Sequence, residues 1–266
     1  MNDLKKHIKI LKQNSGKITP KLMGWLNDND GIHTDDPEII SKVVSILAPP
    51  TSDRSGHFHP SQLYQCPRKQ IFEFHGLKPA AQNYNPTLQN LFNDGHFRHL
   101  RWQIMLLNAG VLTDIEVKTT MPHYRLGGSM DGVNENEGWV FELKGTSQFA
   151  SVQRNGVMAP HKKQIQAYLL ASGYDTAYIV YEDKSSQSWA EFEIKKDAET
   201  VDEIESILVM LNEGLDGGEL PQPYEDCKNQ TGSTFDRCPF SGVCLGFSAS
   251  EEVAQRVQLA ARNSNG

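Results

Sequence analysis

The sequence predicts an α/β fold: a mixed central sheet flanked by helices, with a helical N-terminal extension. Three observations lead there. A helix, a three-stranded meander, a second helix and a further strand follow one another, in the order of a mixed α/β sheet. The 266 residues, 38% of them hydrophobic, suffice for one substantial core. The first sixty residues carry helical rather than strand spacing.

Taken in order, Leu4, Ile8 and Leu11 have helical spacing, and Asn14, Ser15 and Gly16 end that run. A second helix is predicted over Pro37–Leu47, with Asp36 or Asp35 as N-cap and Pro49 and Pro50 as its stop. Residues 51–60 are polar, bear Gly and Pro, and read as a linker. Ser61 is placed to cap a helix carrying Leu63, Tyr64, Cys66 and Ile71 toward a core. Thr87–Ala109 shows a longer helical pattern: Leu88, Leu91 and Phe92, then Leu100, Ile104 and Leu107.

Strands are predicted at Asp114–Thr120, Arg125–Gly132 and Trp139–Lys144, the last two separated by the turn Asn134–Gly138. A helix over His161–Ala171, strands at Ala177–Tyr181 and Ser188–Ile194, and a helix over Ala198–Asn212 complete the body. A Gly/Pro-rich stretch, 214–223, leads to a cysteine-bearing tail and a final helix at Glu251–Arg262. The division expected is 1–60 as extension and linker, 61–250 as the main domain closed by a four-cysteine metal site, and 251–266 as a helical tail.

The net charge of −7 has the wrong sign for a protein that coats nucleic acid by bulk electrostatics. A site built of clustered carboxylates contributes such charge, and bound cations then offset it. No apolar run approaches the length of a membrane span, and Met1–Ile10 is charged rather than signal-like. A cytoplasmic protein, bacterial or in a phage-infected host cell, with no membrane partner is expected.

The sharpest local signal is Gly128-Ser129-Met130-Asp131-Gly132 followed by Val140-Phe141-Glu142-Leu143-Lys144. Strand alternation puts Glu142 and Lys144 on one face and Phe141 and Leu143 on the other. Asp131, at the end of the preceding strand, can meet them across the hairpin. Two carboxylates and an ammonium at one point suit phosphodiester hydrolysis. The carboxylates hold a hard divalent cation that polarises the phosphate and acidifies water, and the lysine orients the attacking hydroxide. The bland reading of the same residues is a surface hairpin with an ordinary Glu–Lys pair.

Gln164 and Tyr168 lie one helical turn apart on the following helix, and Gly95-x-x-x-His99 lies upstream. In this order the motifs Gly95-x-x-x-His99, Gly128-x-x-Asp131, Glu142-x-Lys144 and Gln164-x-x-x-Tyr168 resemble the RecB-like branch of the PD-(D/E)XK nucleases. Pro160 and His161 also match that branch's lead-in. The resemblance implies a restriction-endonuclease-like core and a Mg²⁺- or Mn²⁺-dependent deoxyribonuclease. It would act as an exonuclease on single strands or DNA ends, in repair, recombination, phage replication or CRISPR adaptation. On this reading His99 (rather than His96), Asp131, Glu142 and the Leu143 carbonyl hold the metal. Lys144 positions the nucleophile, and Gln164 and Tyr168 hold the lysine or the scissile phosphate. An endonuclease of the same chemistry, or a non-catalytic metal-stapled DNA-binding scaffold subunit, are the alternatives.

Cys66 precedes these motifs, in Ser61-x-Leu63-x-x-Cys66-Pro67-Arg68, and Cys227, Cys238 and Cys244 follow them. One early and three late cysteines resemble the iron–sulfur members of the branch, the CRISPR-associated RecB-like exonucleases and AddB. The resemblance implies a 4Fe-4S cluster on these four thiolates, although Cys227 and Cys238 stand further apart than the family's C-x-x-C. Four thiolates also suit structural Zn²⁺, which stays open as the alternative. Candidate phosphate contacts are Arg68, Lys69, Arg98, Arg101, Arg154, Lys162 and Lys163, beside His161. Tyr84, Trp102 and Phe149 are candidates for stacking on unpaired bases or for core packing. The extension is a candidate surface for a protein partner.

Overall fold

The computed structural model describes residues 16–29, 32, 34–47, 55–78 and 86–264. The predicted run through Leu4, Ile8 and Leu11, the prolines 49 and 50, and Tyr84 lie outside them. The chain forms two compact units: Met1–Pro50, Asn85–Thr119 and Gly128–Asp197 make one, and Thr51–Tyr84, Thr120–Gly127 and Ala198–Gly266 the other.

The first unit contains helices α1 (Thr19–Asp28) and α2 (Pro37–Leu47). No helix is predicted at α1 from the sequence. Distant residues stabilise it. Leu22 is fully buried, and the Glu191 carboxylate accepts the N–H groups of Lys17 (2.6 Å), Ile18 (3.0 Å) and Thr19 (2.8 Å). A carboxylate there also faces the positive end of the helix dipole. α2 begins where predicted: Asp36 Oδ1 accepts the N–H of Glu38 at 2.8 Å, an ordinary N-cap.

The central sheet has five strands in the order β1-β2-β3-β4-β5: β1 Asp114–Met121, β2 Leu126–Asn134, β3 Trp139–Thr146, β4 Thr176–Asp183 and β5 Trp189–Lys195. β2 and β3 pair antiparallel, β3 and β4 parallel, β4 and β5 antiparallel, so the sheet is mixed as expected. Helix α4 (Pro86–Asn108) precedes the sheet. The short helix α5 (Phe149–Asn155), which the sequence reading missed, and α6 (Ala159–Ser172) fill the crossover between β3 and β4.

Each face of the sheet has its own core. Ile18, Leu22, Trp102, Leu106, Phe141, Leu143 and Val180 pack on one face; Val140, Phe149, Val152, Ile165, Leu169 and Ile179 pack on the other. Side-chain alternation in β3 therefore sends Phe141 and Leu143 into the core that includes α4. Its neighbours of opposite parity, Glu142 and Lys144, face α6.

The second unit contains α3 (Pro67–Phe74), α7 (Ala198–Asp216) and α8 (Ser250–Ser264), with short helical turns at Glu225–Lys228, Gly232–Asp236 and Ser241–Cys244. The helix expected from Ser61 is broken in two. A 3₁₀ turn, Pro60–Gln62, comes first, and α3 starts only at Pro67. Proline keeps the preceding Cys66 out of helical geometry and serves well as the first helical residue.

Candidate active site and cysteine cavity

The cross-strand register of β2 and β3 runs from Asn134↔Trp139 to Gly132↔Phe141. One residue further, Asp131 Oδ2 accepts the Leu143 N–H at 2.7 Å. Gly132 beside it leaves little room for a side chain: a Cβ there would sit 2.6 Å from Leu112 Cδ1 and 3.2 Å from the Asp114 carbonyl oxygen. The Leu143 carbonyl meets His99 of α4.

His99 Nδ1 lies 2.9 Å from the Gly95 carbonyl, which can only accept, so Nδ1 carries a proton. That leaves Nε2 turned to Asp131 Oδ2 and to the Leu143 carbonyl oxygen, 3.2 Å from each. Three lone-pair groups converging this closely require a positive charge among them. Without metal a proton supplies it. Burial pulls the imidazole pKa down, but the Asp131 carboxylate outweighs this and pushes it up to about 9.

Glu142 is 2% exposed. Its Oε1 accepts from Lys144 Nζ (2.6 Å) and from Gln164 Nε2 (2.8 Å). Its Oε2 is buried and has no partner, an orphan acceptor of the kind that a cation satisfies. Burial, with repulsion from Asp131, pushes the Glu142 carboxyl up to about 7, against the pull of Lys144. Asp131 behaves oppositely: although burial opposes it, His99, Lys144 and the Leu143 N–H hold its carboxyl below the usual range. Of the two carboxylates, Asp131 is the one already ionised for a metal.

The structure thus brings His99, Asp131, Glu142, Leu143, Lys144, Gln164 and Tyr168 together in the first unit. Gln164 donates to Glu142 at 2.8 Å, and Tyr168 donates to the Ser129 carbonyl at 2.7 Å. Among the described residues, no three His, Cys, Asp or Glu side chains converge tightly enough to hold one ion. At this site the third close group is the Leu143 carbonyl. Gln103, Glu116 and Glu182, which border the site, were not singled out from sequence, because none belongs to a motif.

The basic candidates divide. Arg154 and Lys162 are exposed, and Lys163 is half-buried. Arg101 is half-buried, pairing with Glu182 and with Gln187 (2.8 Å). Arg98 is only 8% exposed, and its guanidinium spans Glu182 (2.8 Å) and Asp94 (2.9 Å). Arg68 is 5% exposed and donates to the carbonyls of Pro221 (3.0 Å), Cys244 (2.8 Å) and Phe247 (2.6 Å). Both guanidiniums are committed inside the protein, which corrects the expectation that they meet phosphates. Lys69 pairs with Gln65 (2.6 Å). Phe149 and Trp102 are buried in the two cores and so are not stacking platforms.

In the second unit Cys66, Cys227, Cys238 and Cys244 line one cavity of about 280 Å³. Burial, together with the neighbouring thiols, pushes Cys66 and Cys227 above the usual thiol pKa. A bound cation would reverse that effect. Arg68 Nε lies 3.3 Å from Cys244 Sγ and donates to it.

The sequence matches no family profile and no curated protein. Among solved structures, the chain is similar to the alkaline exonuclease of Laribacter hongkongensis at 15% identity and a TM-score of 0.46, covering 62% of this chain and 90% of that one. It is likewise similar to the complex of that enzyme with dAMP (15%, TM-score 0.45, covering 67% and 93%). A phage-related exonuclease from Haemophilus somnus gives 14% and a TM-score of 0.38, covering 64% and 88%.

Proposed function

We propose that the chain is a divalent-metal-dependent deoxyribonuclease. The observation that carries this is the approach of Asp131 Oδ2 and the Leu143 carbonyl to His99 Nε2, 3.2 Å each, together with the buried, unpartnered Oε2 of Glu142. The donor set of imidazole nitrogen, two carboxylates and a carbonyl suits Mg²⁺ or Mn²⁺. When bound, the ion would polarise a phosphoryl oxygen and lower the pKa of water.

The chain's own groups supply the rest. The Gly95 carbonyl fixes the His99 tautomer that leaves Nε2 free to ligate. Gln164 and Lys144 both engage Glu142 Oε1, which leaves Oε2 for the metal. Lys144, charged and at the open end of this arrangement, orients the attacking water and offsets the charge that grows on the phosphate. The RecB-like motif order supports DNA, and an exonuclease on single strands or ends, as the substrate reading. Arg154, Lys162 and Lys163 are the candidate phosphate contacts.

The cysteine cavity is the second element of the proposal. Its four thiols line one space. The resemblance of the cysteine placement to the iron–sulfur members of the RecB-like branch supports a 4Fe-4S cluster with a structural role, and structural Zn²⁺ is the alternative.

The test is end-labelled single-stranded DNA incubated with wild type and Lys144→Ala in Mg²⁺, Mn²⁺ or EDTA. Metal-dependent degradation lost in the variant is the expected result, and linear against circular DNA separates exonuclease from endonuclease. Protein that binds DNA but leaves it intact with either metal refutes the catalytic reading in favour of a scaffold.

A further inference from the structure

Glu116 stands in the middle of β1 with φ 50, in the left-handed region that side chains rarely adopt. It is exposed, yet its two carboxylate oxygens reach back to Gln103 of α4 and Ser129 of β2. Oε1 accepts from Gln103 Nε2 at 2.9 Å, and Oε2 accepts from the Ser129 hydroxyl at 3.0 Å. The same Gln103 nitrogen donates to the backbone carbonyl of Asp131 at 2.9 Å. Both partners of that nitrogen are acceptors, which fixes the orientation of the amide. It also leaves Gln103 Oε1 buried without a partner. On the opposite side, Tyr168 donates to the Ser129 carbonyl. Ser129–Asp131 is thus held at its carbonyls and its hydroxyl, while the Asp131 carboxylate meets His99 and the Leu143 N–H.

We propose that Glu116 is a positioning residue for Asp131: from a strained backbone turn it acts through Gln103 and Ser129 to hold the metal-binding carboxylate in place. Strain kept beside a functional strand marks a conformation that the surroundings impose. The proposal rests on the metal-dependent reading of the site.

Glycine accepts φ 50 without strain, so Glu116→Gly separates the two roles. The experiment titrates Mn²⁺ alone against the full chain carrying its native cysteine-bound metal, reading free Mn²⁺ by electron paramagnetic resonance, with a thermal melt of each protein. Asp131→Asn defines the binding that belongs to this site. Glu116→Gly is expected to weaken Mn²⁺ binding about 10-fold or more, as loss of an outer support of a metal ligand does, while its melting temperature is unchanged or higher. Glu116→Gln, which keeps an acceptor for Gln103, is expected to bind close to wild type. Unchanged Mn²⁺ affinity in Glu116→Gly overturns the proposal. So does a parallel fall in melting temperature and affinity, which would make Glu116 a structural residue only. Wild-type binding no tighter than that of Asp131→Asn would refute the metal reading itself, a result distinct from either.

Discussion

Glu182 offers the most direct test of how His99 is held. This carboxylate is 1% exposed and receives Arg98, Arg101 and the Trp102 indole, three residues on the same stretch of α4 that bears His99. Glu182→Ala would leave the buried Arg98 guanidinium without its inner partner and the indole N–H without an acceptor. Breaking a buried pair on one side costs about 3–5 kcal/mol. The lower end applies, because Arg98 keeps Asp94 and Arg101 reaches solvent. For a chain of this size, about 3 kcal/mol lowers the melting temperature by roughly 6–12 °C. The magnitude is read from urea unfolding midpoints at constant slope, and the positional effect from Mn²⁺ affinity well below the new melting temperature. Glu182→Gln, which keeps one acceptor oxygen, should lose less stability. A Glu182→Ala protein within about 0.5 kcal/mol of wild type, the range of an ordinary surface substitution, would refute the account of α4 as anchored through this carboxylate.

Other predictions concern pH, the cysteine cavity and α1. Metal must displace the His99 proton below about pH 9 and the Glu142 proton below about pH 7, so Mn²⁺ binding should strengthen as pH rises. Stability of the metal-free protein has the opposite sign. The raised His99 pKa stabilises the fold fully below the free histidine value and is lost toward pH 9. Ionising buried Glu142 costs stability as pH rises through 7. The gain in melting temperature on adding Mn²⁺ should therefore be larger at pH 8.5 than at pH 6, and a flat or inverted response would refute the assigned protonation states. If the cysteines hold metal as proposed, Arg68→Met should loosen the Pro221, Cys244 and Phe247 segments and speed its loss to a chelator, measured by metal content over time; unchanged retention would remove Arg68 from that role. Glu191→Ala removes the acceptor shared by three N–H groups at the start of α1 and should destabilise by about 1–2 kcal/mol, with amide exchange rising first at Ile18 and Thr19.

The sheet was legible because its strands carry their own patterns. The alternation in Trp139–Lys144 and the turn before it are local features, and they already place Glu142 and Lys144 on one face. α4 could be read for the same reason, through long helical spacing. α1 could not, since its stabilising group is a carboxylate more than 170 residues away. Nor could α5, a seven-residue helix that buries only Phe149 and Val152. The break at Pro67 shows a local rule outweighing a cap signal: Ser61 is a good N-cap residue, but a proline six positions later decides where the helix begins.

The site shows the same division more sharply. Motif spacing picks out His99, Asp131, Glu142 and Lys144, which the structure brings to one place. It does not find the groups that orient them, because these are selected by contact rather than by order. Gln103 reaches the Asp131 carbonyl 28 positions away, and Glu182 reaches Trp102 across 80. Basic residues mislead for a related reason. Arg68 and Arg98 look like phosphate contacts in a sequence, since an arginine fork suits phosphate and carbonyl or carboxylate oxygens alike. Burial separates the two uses. At 5% and 8% exposure their guanidiniums fix protein oxygens, Arg68 in the cysteine-bearing tail and Arg98 beside His99. On the proposed reading of both sites, substituting either should therefore weaken metal retention at its own site before it changes the salt dependence of DNA binding, which is the reverse of what a phosphate contact would do.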